Sequence, residues 1–153
     1  DGVNGGIYSV KELIKKVKSL WLSTSIQIRV LCTGGEPLLQ LDSDLISAFK
    51  KEGFYIAIET NGTLPAPEGI DWICMSPKAN TNIKLKSGNE IKVIHPQENY
   101  DPNDFMSFDF DDFYIQPMDS KSYSKNLKAA LDFCMQNPRW SLSLQTHKIL
   151  GIK

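Results

Sequence analysis

Six short segments of the sequence gather residue types suited to holding a small polar molecule. They are Thr33-Gly34-Gly35-Glu36-Pro37, Glu59-Thr60-Asn61-Gly62-Thr63, Ser76-Pro77-Lys78, His95-Pro96-Gln97, Gln116-Pro117-Met118-Asp119 and Gln145-Thr146-His147-Lys148. Hydroxyls and amides both donate and accept, lysine and glutamate add charge, and glycine lets a ligand come close to the backbone. Each segment alone has a plainer meaning. Gly34-Gly35 can be a tight strand-to-helix turn, Asn61-Gly62 is a common turn dipeptide, and each proline can simply end a strand in a rigid turn. Their recurrence, one after each predicted strand, is what points to a small-molecule site.

Other chemistries fit these residues poorly. The glycines lack the spacing of a dinucleotide fingerprint and no Gly-Lys-Ser/Thr follows them. His95 and His147 lie far apart, and neither has a helical or Cys-x-x-Cys partner for zinc. Ser76 and His147 sit in no Gly-x-Ser-x-Gly context, which argues against a hydrolase triad. Cys32, Cys74 and Cys134 fall inside predicted elements, where small buried apolar residues belong.

The surrounding periodicity shows how the six tails could meet. Ser9 with Glu12 has the capping-box arrangement, and Val10, Leu13, Ile14, Val17, Leu20 and Trp21 follow at helical spacing, with lysines on the solvated face. Alternation over Ile26 to Cys32 predicts a strand, and a second helix is expected from about Asp42 to Lys51, ending at Gly53. Further strands are predicted over Phe54–Glu59, Asp71–Met75, Ile91–Ile94, Phe113–Gln116 and Trp140–Leu144, with a helix from about Ser122 to Gln136. Residues 98–112 carry six acids and no base, the pattern of a solvated loop. No helix is evident in the connections around 62–70, 77–89 and 97–112. Strands alternating with helices predict an α/β fold with a mainly parallel sheet or a thinly clad partial β/α barrel, in which the strands' carboxyl ends meet on one binding face.

Composition narrows the class. The chain has 153 residues, the size of one domain, read here as a single domain over residues 1–153. Its 17 basic and 18 acidic residues give a net charge of −1, which argues against a nucleic-acid partner. No apolar run approaches the roughly 18 residues of a membrane span. The three cysteines are an odd number at wide spacing, which suits a reducing, cytoplasmic setting rather than a disulfide framework.

Thr33-Gly34-Gly35-Glu36-Pro37 resembles the glycine-glycine-glutamate motif of radical S-adenosylmethionine enzymes. With the segments TGGEPLLQLD, ETNGT, DWICMSPKA, QPMD and SLSLQTHKILGI, the sequence is similar, from its opening DGVNGG to its last residues, to the 7-carboxy-7-deazaguanine synthase family. The resemblance implies a homodimeric enzyme on an incomplete β/α barrel, using S-adenosylmethionine, a [4Fe–4S] cluster, Mg²⁺ and a reductant such as flavodoxin. The implied reaction converts 6-carboxy-5,6,7,8-tetrahydropterin to 7-carboxy-7-deazaguanine with release of ammonia, through a 5′-deoxyadenosyl radical. By the same resemblance Gly34, Gly35, Glu36, Asn61, Ser76, Lys78 and Gln116 would hold S-adenosylmethionine, with Glu36 near its ammonium and sulfonium. Thr33, Gly35 and His147 would face the pterin.

One departure is large. The family holds its cluster with three cysteines upstream of the DGVNGG-like segment, the last two as Cys-x-x-Cys, and a threonine linked to Mg²⁺ follows them. None of these is in this sequence, nor are the first strand of the barrel and the family's acidic and basic substrate residues of the N-terminal region. The expectation is therefore the C-terminal two-thirds or so of such an enzyme, inactive by itself. A different radical enzyme, such as a glycyl-radical activase, or a non-catalytic ligand-binding module are the alternatives.

Overall fold

The computed structural model describes residues 5–98 and 100–152; the Asp1–Asn4 part of the opening DGVNGG segment lies outside them. The first helix, α1 (Val10–Leu20), starts where the capping box predicts. The Ser9 N–H donates to Glu12 Oε2 at 2.8 Å, and the Glu12 N–H donates back to Ser9 Oγ at 3.4 Å. Leu13, Ile14 and Val17 line its inward face. β1 (Arg29–Cys32) is shorter than the alternation suggested. Pairing with β2 (Tyr55–Thr60) begins only at Arg29 opposite Tyr55, because Gly53 and Phe54 are still leaving α2 (Ser43–Lys51). The Gln27 side chain instead donates to the Gly53 carbonyl at 2.9 Å.

The remaining elements are β3 (Trp72–Met75), β4 (Ser87–His95), β5 (Asp109–Pro117), α3 (Tyr123–Gln136), β6 (Trp140–Leu142) and α4 (Thr146–Ile149). They build a six-stranded sheet in the order β1-β2-β3-β4-β5-β6, parallel throughout and not closed by a β6–β1 pairing. The expected incomplete, mainly parallel α/β sheet with few helices is what forms. β4 and β5 are longer than their apolar centres because they pair with each other from Ser87 opposite Asp109 to His95 opposite Pro117.

One face of the sheet is apolar and covered. Ile56 and Ile58 pack with Leu41, Ile46, Phe49 and Phe54 under α1 and α2, and Met75, Ile91, Val93, Phe113 and Ile115 pack with Ala130 of α3 and Trp140. The stretch 98–112 departs from the solvated loop its acids suggested. Pro102–Phe105 form a 3₁₀ turn that buries Pro102 and Phe105, Tyr100 and Phe108 stack on Phe105, and β5 already begins at Asp109. Aromatic side chains here cover the sheet in place of a helix, and the acids point outward between them.

A single carboxylate fixes the β2–β3 connection. Asp71 accepts from the Ile56 N–H at 2.7 Å and pairs with Lys50 of α2, while its own N–H donates to the Ile56 carbonyl at 2.9 Å. Burial alone would push this carboxyl up, but the Lys50 ammonium and the Ile56 N–H outweigh it and hold it below its ordinary value of 3.8. A carboxylate lowered in the folded state adds stability above its unfolded value and loses it as pH falls through the folded one. Asp71→Asn is therefore expected to cost about 1 kcal/mol at neutral pH, by urea denaturation. The gap to the native protein should shrink as the pH falls below about 4.

Candidate functional site

The carboxyl ends of the strands frame a cleft of about 520 Å³. Thr33, Gly34, Gly35, Asn61, Ser76, Lys78, Gln116 and His147 all line it, so every predicted site residue except Glu36 is brought to one place. The tail after β4 does not reach it. His95 turns away to pack on Phe133 of α3, ring centroids 5.1 Å apart, and burial pushes its pKa down. Gln97 folds back, donating from Nε2 to the Ile94 carbonyl at 2.6 Å.

Gly34 and Gly35 adopt φ of +82° and +59°, and a Cβ added at either would meet nothing within 4 Å. Left-handed backbone, not crowding, is why glycine suits this turn, and it leaves the main chain bare toward the cleft. The Glu36 carboxylate is engaged within the protein itself. Its Oε1 accepts from Thr60 Oγ1 at 2.6 Å and the Leu38 N–H at 3.1 Å, and its Oε2 accepts from the Asn61 N–H at 2.8 Å. The carboxylate thus ties the end of β1 to the end of β2 and caps the short 3₁₀ turn Pro37–Leu39. Gly62 beside it has φ of +77°, and a Cβ there would lie 2.4 Å from Met75 Sδ.

With its N–H held by Glu36, Asn61 fixes its side-chain oxygen by accepting from the Thr63 N–H at 2.9 Å and Oγ1 at 2.7 Å. That leaves the amide NH₂ for a ligand. The Ser76 N–H donates to the Thr60 carbonyl at 2.7 Å, and Lys78 Nζ donates to Ser76 Oγ at 3.3 Å. His147 enters from α4, a short helix rather than an extended tail, which an ion pair between Lys148 and Asp119 docks beside the end of β5.

The cleft also contains Glu59, Thr60 and Gln145, which stand in the polar tails singled out in the sequence but had no role assigned there. Cys74, Lys92, Ile94, Ser143 and Leu144, which stand outside those tails, line it too. Lys92 and Cys74 sit mid-strand, where alternation reads only as facing, and nothing local marks them. Glu90 Oε1 accepts from Lys92 Nζ at 2.9 Å and from the Cys74 thiol at 3.3 Å. Burial and the adjacent Glu90 push the Cys74 thiol up to about 12, and burial also raises Cys32 and Cys134. These remain thiols, not thiolate ligands. Among the described residues, no group of three or more His, Cys, Asp or Glu could hold a metal ion.

An open, all-parallel sheet with a polar cleft across its carboxyl ends defines an α/β protein of the partial-barrel kind. The solved QueE from Escherichia coli shares this fold, with a TM-score of 0.65 at 21% identity over 90% of this chain and 64% of that one. No family model matches the chain. Among curated proteins, the 7-carboxy-7-deazaguanine synthase of Burkholderia multivorans is 48% identical and that of Caulobacter vibrioides 47%, each over 99% of this chain and 73% of the relative. The chain belongs to the 7-carboxy-7-deazaguanine synthase family.

Glu36 offers a clean test of clamp against ligand contact. Glu36→Ala should cost about 2–4 kcal/mol in urea unfolding, because it strands partly buried donors on Thr60, Asn61 and Leu38. Unchanged stability with weakened ligand binding would instead make it a direct ligand contact.

Proposed function

We propose that this chain forms the cofactor and substrate cleft of a radical S-adenosylmethionine carbon–nitrogen lyase of queuosine biosynthesis. The reaction converts 6-carboxy-5,6,7,8-tetrahydropterin to 7-carboxy-7-deazaguanine and releases ammonia. The observation that carries this is the meeting of Thr33, Gly34, Gly35, Asn61, Ser76, Lys78, Gln116 and His147 in one cleft, in a chain 48% identical to a protein named for that product.

The residues present fit S-adenosylmethionine. Gly34 and Gly35 offer bare backbone to its amino-acid end, whose ammonium and carboxylate need an acceptor and a donor. Ser76 and Lys78 add a hydroxyl and a cation, and the amides of Asn61 and Gln116 suit a ribose or an adenine. Glu36 contributes by holding Asn61 in place. S-adenosylmethionine held in the cleft would supply radical chemistry directed at the pterin. The chain's own part is to orient and shield. His147 can donate to the pterin carboxylate, a bond that protonation strengthens.

Among the described residues no group of three or more His, Cys, Asp or Glu could hold the cluster or Mg²⁺, and the 153-residue chain alone should form no cluster. Homodimerisation, a reductant such as flavodoxin and a cytoplasmic setting belong to the same proposal, and no described helix is long and apolar enough to cross a membrane.

The test is turnover by the full-length protein, reconstituted anaerobically with iron and sulfide and supplied with cofactor, pterin and reductant. Formation of 7-carboxy-7-deazaguanine by mass spectrometry is expected, and cofactor cleavage without it would overturn the assignment. Gly35→Ala should weaken S-adenosylmethionine binding about tenfold in calorimetry, because an L residue resists this left-handed turn. Unchanged affinity would reduce the motif to a turn. His147→Ala should raise the pterin KM and leave uncoupled cofactor cleavage intact.

A further inference from the structure

Two charged side chains in the cleft have no part in that reaction scheme: Glu59 on β2 and Lys92 on β4. The Glu59 carboxylate accepts from the Thr33 hydroxyl at 3.1 Å through Oε2, and its Oε1 has no protein partner among the described residues. The Lys92 ammonium gives one of its three donors to Glu90 at 2.9 Å, and the other two meet no protein acceptor among the described residues. Its side chain is only 23% exposed, so donors left open there call for a ligand or water. Burial disfavours the ammonium form, but the hydrogen bond from Lys92 to Glu90 leads the effects that outweigh it, so Lys92 carries its charge.

Register places both groups. Ile94 pairs with Gln116 and Lys92 with Tyr114, which sets Lys92 one pleat repeat, about 7 Å, below the Gln116 layer. Glu59 pairs with Cys74, and Cys74 with Glu90, but Glu59 is the penultimate residue of β2, is exposed, and its carboxylate meets Thr33 just past the end of β1. Lys78 and His147 enter from beyond the strand ends, at the rim. The cleft therefore has Lys78 and His147 at its rim, an exposed carboxylate with one open oxygen at Glu59 and, deeper, the Lys92 ammonium with open donors.

A fused 2-amino-4-oxopyrimidine ring presents the complement along one edge, two N–H donors beside a carbonyl oxygen. Resting on the function proposed above, we propose that Glu59 and Lys92 together read this edge of the pterin. Glu59 accepts from its N–H groups and Lys92 donates to its oxo oxygen. Charge-assisted bonds of this kind are stronger than amide contacts. The pyrimidine end then points toward Lys92 and the carboxylate on the second ring points to the rim, where His147 stands. Adenine carries an amino group and ring nitrogens but no oxo group, so the nucleoside is a weaker match for the pair.

The test is equilibrium binding to the full-length enzyme with its cluster oxidised, S-adenosylmethionine bound and no reductant, so that nothing turns over. The probes are 7-carboxy-7-deazaguanine, which keeps the same edge, and its analogue lacking the 2-amino group. The native protein should prefer the amino compound about 100-fold, and Glu59→Gln should cut that preference to about tenfold or less. Lys92→Met should weaken both probes about 10- to 100-fold without changing their ratio, and Lys92→Arg should recover part of the loss. S-adenosylmethionine affinity should stay within about twofold in all three.

Because Lys92→Met leaves Glu90 unpaired, the double variant Lys92→Met/Glu90→Gln removes both charges together and must show the same loss. Native-like binding of both probes by the Glu59 variant and the double variant, or loss of S-adenosylmethionine affinity instead, overturns the inference. If the native protein makes product while that happens, only the inference falls. If the native protein neither binds these probes nor makes product, the proposed function falls with it.

Discussion

Parallel pairing forces every strand of a sheet to end at the same edge, and each connection must then run back over a face of the sheet to start the next strand. Six strands joined in sequence order therefore deliver their following residues to one line. The cleft is the direct result of that constraint. Thr33, Asn61, Ser76, Gln116 and Ser143 are separated widely along the chain, yet each stands at or just beyond the end of a strand. Only the tail after β4 escapes: His95 packs on the ring of Phe133, with its Nδ1 buried and without a hydrogen-bond partner among the described residues.

The same sheet separates two environments. On the covered face isoleucine, valine and phenylalanine pack to near-zero exposure, and that burial is the main source of stability. On the other face Glu59, Cys74, Glu90 and Lys92 occupy positions a second apolar layer could fill. A partly buried ion pair is weak evidence for stability, since desolvation offsets much of its attraction. Lys92, paired with Glu90, lines the cleft, so its charge is set where a ligand can reach it.

Between the two environments lies a set of fixed turns. Glu36 reaches across from the end of β1 to the start of the Asn61-Gly62 turn, so the two loops move as one unit. Asp71 does the same at the opposite end of β2, with Lys50 of α2 as its cation. Neither side chain lines the cleft. Both decide where the residues that do line it are held, and Asp119 with Lys148 does likewise for the helix bearing His147.

Much of this was legible in the sequence. Strand alternation, the capping box at Ser9 and the helical stripes are local, and local patterns survive in any fold that uses them. The succession of polar tails located the cleft, because a parallel α/β reading already fixes where strand ends meet. The sequence could not give the role of Glu36, which depends on β2 lying beside β1, nor the packing of residues 98–112, where apolar rings between acids found a sheet face to cover. Lys92 was hidden for the same reason. Along the chain it is a charge in alternation with apolar residues, the mark of a solvated face. Only the pairing of β2, β3 and β4 turns that face inward and sets its ammonium in the same cleft as Glu59.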